Sequence, residues 1–181
     1  MMIKTLTLTG LAAIAALSMP FAAQAALAPG TAAPTITTSA ALGGKSFTFS
    51  LADALKKGPV VLYFFPAAFT SGCTVEAHEF AEATDDFARM GATVVGLTAG
   101  NIDRINEFSS VECRNKFAVG VATPATIKSY DVALAVKPGW SDRTSYVIAP
   151  DGKVIFAHSA LSPAGHVSGT MNAVKSWKAA H

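Results

Sequence analysis

Cysteine is scarce in this chain. The 181 residues hold only Cys73 and Cys113, and no Cys-x-x-Cys pair exists. The dithiol centre that a thiol–disulfide oxidoreductase normally uses is therefore absent. Charge is sparse too: Asp, Glu, Lys and Arg make up 14% of residues, with a formal net charge of +2. The bases are scattered, with no clustered run, which excludes the electrostatic footprint of a nucleic-acid binder. No internal repeat or low-complexity linker divides the chain. A bilayer-spanning run is also lacking, because the apolar stretch Leu6–Met19 stops at Pro20, short of the about 20 residues a crossing helix needs.

That stretch fits a different purpose. Lys4 supplies a basic start, Leu6–Met19 an apolar centre, and Ala23-Gln24-Ala25 a small-x-small cleavage site. This is the pattern of a secretory signal, with an uncleaved membrane anchor as the alternative. Residues 1–25 are expected to be removed, leaving residues 26–181 as one domain large enough for a full core. The expected location is periplasmic or secreted, with no membrane contact after cleavage. In such a compartment two cysteines read by default as a structural disulfide, so chemistry has to be argued from the residues around each.

The pattern along the chain predicts an α/β fold. Thr35–Thr38 and Ser46–Ser50 alternate across Gly43-Gly44 and predict a hairpin. Leu51–Lys57 predicts a short helix, and Val60–Phe65, continuously β-branched and aromatic, a strand covered on both faces. Val75–Met90 has helical spacing, and Thr93–Thr98 is a second buried strand, completing a βαβ unit. Ile102–Ser109, with a continuation toward Cys113, and Pro124–Tyr130 predict further helices. Thr144–Ala149 and Lys153–His158 flank Asp151-Gly152 as a hairpin. A last helix is expected to open at Pro163 and to carry Trp177 in the core. The expected architecture is thioredoxin-like: a central mixed sheet flanked by helices, with the N-terminal hairpin as an extension.

Tyr63 to Glu76 is the informative segment. A buried strand runs into Pro66, then a loop of small residues, and Cys73 stands where a helix opens. Free backbone N–H groups and the helix dipole both favour a thiolate there, and such settings lower a cysteine's pKa below its free value of about 8.5. The bland reading of Cys73 is a small buried hydrophobe. The strand-to-helix elbow favours a reactive thiol instead.

Pro66-x-x-x-Thr70-x-x-Cys73 resembles the peroxidatic motif of the peroxiredoxins, and its flanks look most like the Q-type, bacterioferritin-comigratory branch. Gly58-Pro59-Val60-Val61-Leu62, Gly96, Tyr130-Asp131-Val132, Arg143-Thr144-Ser145-Tyr146-Val147-Ile148 and Asp151-Gly152 follow in the family's order. The resemblance implies a thiol-dependent peroxidase that reduces hydrogen peroxide and organic hydroperoxides. It implies that Cys73 attacks the peroxide, Thr70 hydrogen-bonds it, Arg143 stabilises thiolate and leaving oxygen, Pro66 shields the pocket, and Glu76 orients Arg143. Read singly, Thr70 could cap the helix, Glu76 could complement its dipole, and Arg143 could be a solvated strand-edge charge.

Q-type members often carry a resolving cysteine five residues after the peroxidatic one; this chain has His78 there. Cys113 is the remaining candidate to resolve Cys73, the alternative being an inert thiol with an external resolver. The implied reductant is a thioredoxin-like protein or a low-molecular-weight thiol, and the implied state is a monomer or weak dimer. No cofactor or metal is called for. His158, His166 and His181 show no ligand spacing, and Trp140 is expected to shape a loop near Arg143. The competing functions are an exported thiol–disulfide oxidoreductase of the same fold and a copper-binding assembly factor using Cys73 and His78.

Overall fold

The computed structural model describes residues 26–181; the proposed leader, residues 1–25, lies outside the described residues. Among the described residues seven strands form one mixed sheet in the order β2-β1-β5-β4-β3-β6-β7. They are β1 (Thr37–Leu42), β2 (Lys45–Ser50), β3 (Val60–Phe64), β4 (Thr93–Thr98), β5 (Ala118–Val121), β6 (Thr144–Ile148) and β7 (Val154–Ser159). The helices are α1 (Leu51–Leu55), α2 (Ser71–Arg89), α3 (Ile105–Val111), α4 (Pro124–Ser129) and α5 (His166–Ala180).

β3 is central because both of its faces are apolar. Side chains alternate across a strand. Val61 and Tyr63 therefore join one core with Phe80 and Phe87 of α2, Phe108 of α3 and Val174 of α5. Val60, Leu62 and Phe64 join a second core with Leu51 and Ala54 of α1, Ile127 of α4, Tyr130 and Tyr146. β3 runs parallel to β4 and antiparallel to β6. The helices on both faces and the parallel β3-α2-β4 unit are the expected thioredoxin-like arrangement.

Several boundaries differ from the sequence reading. Its first strand, Thr35–Thr38, ends too early, because pairing continues to Leu42 opposite Lys45. The expected N-terminal hairpin is present and extends the sheet itself. β1 pairs with β5 through Ala40 and Ala41, so the sheet runs continuously through it. β5 itself has no sequence signal, being short and containing Gly120, which weakens a strand. A Cβ at Gly120 would lie 3.0 Å from the Ser39 carbonyl; close approach of β1 is what the glycine permits.

α2 starts at Ser71, four residues before the apolar periodicity does, which puts Cys73 inside its first turn. The Ile102 segment opens as a 3₁₀ turn before α3, and Cys113 follows α3 rather than continuing it. α5 begins at His166, three residues after Pro163, behind Gly165 at φ 93°. Trp177 is half-buried and stacks on His181 at 4.7 Å; it is not a core residue. Trp140 closes the 134–140 loop, its ring under the Lys137 ammonium at 3.0 Å and its carbonyl accepting from Leu134 N–H.

Candidate active site

Where β3 ends, its continuation is held by side chains from neighbouring segments. Ser141 Oγ donates to the Phe65 carbonyl at 2.7 Å, Thr98 Oγ1 to the Pro66 carbonyl at 3.0 Å, and Asn101 Nδ2 to the Ala68 carbonyl at 2.7 Å. Phe69 is forced to φ 62°, an uncommon conformation for a bulky residue. It is held between the Phe108 ring and the Arg104 guanidinium, 3.8 Å above its centroid. This loop delivers the chain to the start of α2 in one orientation.

Thr70 is the N-cap of α2, yet its hydroxyl does not cap the helix; it donates to the Ala67 carbonyl at 3.0 Å. The first helical bond runs from Thr74 N–H to the Thr70 carbonyl at 2.9 Å. The N–H groups of Ser71, Gly72 and Cys73 thus precede the helical ladder, where partial positive charge accumulates. Cys73 is 1% exposed, with Thr70 and Ser71 exposed at the rim above it.

The antiparallel register sets Thr144 opposite Phe64, so Arg143 comes level with the end of β3 and beside α2. It is buried, not a solvated edge charge. Its NH2 lies 3.4 Å from Cys73 Sγ, its NH1 donates to Glu76 Oε2, and its Nε donates to the Leu161 carbonyl at 2.8 Å. Gly72 leaves room for this, since a Cβ there would lie 3.2 Å from Arg143 NH2. Glu76 stands three residues after Cys73, one turn along the same helix face, and is fully buried. Burial pushes its pKa up to about 8, against the opposing pull of Arg143. Burial works against the charge on Arg143, but Glu76 and Cys73 outweigh it and raise its pKa.

Cys73, Glu76 and Arg143 are therefore brought into contact, with Thr70 at the N-cap of the same helix and Pro66 in the loop that leads to it. Cys113 is buried in the same apolar core, and both cysteines are free thiols. Burial, and then the neighbouring Glu112 charge, push the Cys113 thiol well above its ordinary pKa, which disfavours its thiolate while the core around it stays closed. His78 projects from α2 to Glu112 at 2.7 Å, tying the helix of Cys73 to the residue before Cys113.

Behind Glu76 lie two histidines that nothing in the sequence ties to this site. His166, fully buried at the start of α5, has Nδ1 2.8 Å from Ser145 Oγ and 3.6 Å from Glu76 Oε1. His158 packs edge-on against its ring at 4.6 Å. No spacing rule would find His166, because it meets Glu76 only through tertiary packing. A groove of about 540 Å³, lined by Phe47, Asp53, Lys57 and Lys116, lies between the first hairpin and the end of α2 and holds none of these residues.

A sequence model described as the AhpC/TSA family matches residues 29–157. The chain is 31% identical over 134 residues to a chloroplastic peroxiredoxin Q of Sedum lineare, covering 68% of this chain and 67% of that one. It is 25% identical over 122 residues to peroxiredoxin Bcp of Xanthomonas campestris pv. campestris, covering 64% and 76%. Among solved structures, the peroxidoxin BcpB of Mycobacterium tuberculosis superposes with a TM-score of 0.73 at 27% identity, over 82% of this chain and 96% of that one. These likenesses favour a peroxidase over either competing function.

Proposed function

The chain belongs to the AhpC/TSA family, whose members are thiol-dependent peroxidases, and we propose that Cys73 is the sulfur on which its chemistry runs. The supporting observation is the charge arrangement around that sulfur: Arg143 NH2 at 3.4 Å from Sγ, with Glu76 fixing the other end of the guanidinium. Thiolate Sγ attacks the terminal oxygen of a hydroperoxide. The S–O bond forms as the O–O bond breaks, and the departing oxygen leaves as an alkoxide or hydroxide that takes up a proton. Cys73 is left as a sulfenic acid.

Arg143 faces both the attacking sulfur and the oxygen on which charge develops, and it is held in place before the reaction begins. Glu76 orients it. Thr70, at the rim with its own proton given to the Ala67 carbonyl, presents its oxygen to accept the peroxide O–H. Pro66 closes one side of the pocket. Hydrogen peroxide and organic hydroperoxides both fit this scheme, since only the O–OH group takes part.

A thiol then condenses with the sulfenic acid, releasing water and forming a disulfide. Cys113 is proposed as that thiol, with a thioredoxin-like protein or a low-molecular-weight thiol restoring the enzyme. Both sulfurs are buried and a disulfide needs Cα atoms within about 7 Å; local unwinding of the segment after α3 is proposed to bring Cys113 to Cys73. The leader read in residues 1–25 supports a periplasmic or secreted location. Resemblance to the Q-type branch supports a monomer or weak dimer.

Peroxide consumption by the wild type and Cys73→Ser, with a dithiol or a thioredoxin as reductant, tests the reaction. Turnover by the wild type alone is expected, and equal, negligible turnover by both overturns it. Mass-spectrometric mapping after one equivalent of peroxide tests Cys113. A Cys73–Cys113 disulfide is expected; a lasting Cys73 sulfenate beside a free Cys113 thiol rejects its role.

A further inference from the structure

Tyr63 carries a buried polar group that the reaction leaves unused. Its side chain lies in the core that also holds Cys113 and Phe117. The ring stacks against Phe65 at 5.4 Å and Phe80 at 4.4 Å, with Phe117 edge-on at 5.9 Å. It also fills the space over Gly96, where a Cβ would lie 2.8 Å from the hydroxyl oxygen. That hydroxyl has no hydrogen-bond partner among the described residues. The other two tyrosines do: Tyr130 donates to the Pro34 carbonyl at 2.6 Å and Tyr146 to the Tyr130 carbonyl at 2.7 Å. A buried hydroxyl left alone bears its desolvation cost in the closed fold and is relieved of it when water reaches it.

Residues 112–117 are the part of the chain placed to admit that water. Burial first, and then charge on Cys113, ahead of Glu76 and Cys73, works against ionisation of Tyr63. Cys113 and Phe117 are both buried. Between them Arg114 and Asn115 take φ 52° and 58°, a left-handed pair that is costly for residues with side chains. Three polar pairs tie the segment to α2: His78 to Glu112 at 2.7 Å, Glu82 to Arg114 at 3.2 Å and Asp85 to Lys116 at 2.8 Å. Spacings of four and three residues set them on one stripe of the helix, and pairs this exposed hold weakly. We infer that the unpartnered hydroxyl of Tyr63 sets how often residues 112–117 open. On the reading of Cys113 as the resolving thiol, on which this rests, it thereby sets how fast Cys113 reaches the Cys73 sulfenic acid.

The opposite role has to be separated from this one. The hydroxyl dipole could instead steady the closed segment against Cys113, so that removing it would loosen the segment. Tyr63→Phe decides between them by sign, because it deletes one oxygen and keeps the stacked ring. Opening is read in the Cys73→Ser background, where Cys113 is the one remaining thiol, as its rate of alkylation by N-ethylmaleimide. With a reagent slower than reclosing, labelling follows the open population. The resolving step is read with both cysteines present, as the rate of Cys73–Cys113 disulfide formation after a peroxide pulse. The second-order rate of Cys73 with hydrogen peroxide is the control.

Tyr63→Phe should slow Cys113 labelling about 10-fold, a shift of about 1.4 kcal/mol toward the closed state, and should slow disulfide formation by a similar factor. The peroxide rate should change less than about 2-fold. His78→Ala, which releases Glu112 from α2, should quicken labelling, and the double variant should fall between the two single ones. The inference falls if labelling in Tyr63→Phe is unchanged or faster, or if labelling slows while disulfide formation does not. Either result, with a disulfide still forming in the wild type, leaves Cys113 standing as the resolving thiol. A wild type whose Cys73 sulfenate persists without a disulfide removes that reading instead, and the link from Tyr63 to resolution with it.

Discussion

Acid should loosen this fold through His166, and the size of the effect can be worked from its surroundings. The ring is fully buried. Burial lowers its pKa from 6.5 to about 4, assisted by His158 and Arg143 and opposed by the Ala160 carbonyl. The unfolded chain therefore takes up a proton below about pH 6.5, while the folded chain does not until about pH 4. A depressed folded-state value means that the stability is complete above 6.5 and is lost as pH falls toward 4. Each unit contributes about 1.4 kcal/mol, so the window from 6.5 to 4 is worth about 3 kcal/mol. Typical domains hold about 5–15 kcal/mol in all.

Glu76 acts with the opposite sign. Its pKa is raised from 4.5 to about 8, so its contribution is present below 4.5 and is lost as pH rises toward 8. Comparison of the wild type with His166→Asn cancels the part that Glu76 contributes to both. Urea unfolding at intervals between pH 4 and 8 should show the wild type losing about 3 kcal/mol more than the variant between 6.5 and 4. A difference that stays flat within about 0.5 kcal/mol, or that grows toward alkaline pH, refutes a buried neutral imidazole at this position.

Three further outcomes can be checked directly. Arg143→Lys keeps the charge but cannot reach Cys73, Glu76 and the Leu161 carbonyl with three separate N–H groups; the peroxide rate should fall by about 10²–10³ in stopped-flow measurements. Gly96→Ala would bring a Cβ to 2.7 Å from Tyr63 Cζ, and urea unfolding should register a loss of about 1–3 kcal/mol. His78→Ala removes the 2.7 Å tie to Glu112. If Cys113 resolves Cys73, disulfide formation after a peroxide pulse should quicken by about 3-fold, because a partly exposed pair of this kind is worth about 0.2–1 kcal/mol.

What could be read from the sequence was local. The β3 run, the break at Pro66 and the cysteine at a helix start lie within one continuous stretch, where composition and breakers suffice. Glu76 was visible as an acid one turn from Cys73. Whether it answers the helix dipole or a buried guanidinium depends on which side chain arrives opposite, and that is set by the β3–β6 register. Only the family likeness supplied Arg143. β5 escaped because Ala118-Val119-Gly120-Val121 is weak as an isolated strand and is stabilised by neighbours on both sides, β4 and β1. Pro163 misplaced the start of α5 by three residues, and with it the residue that the helix opening delivers to the site.

That last displacement matters for the chemistry. One guanidinium faces two groups able to carry negative charge, Cys73 and Glu76, and the three are buried together. With both ionised the cluster holds a net negative charge where water is excluded, a costly state. A proton on Glu76 leaves Arg143 and the thiolate as a neutral pair, and the raised pKa of Glu76 is in that direction. His166 stays neutral by burial and adds no second cation to compete for the sulfur. The hydrogen-bond geometry of Glu76 is then what holds Arg143 in place, since protonation weakens its electrostatic hold.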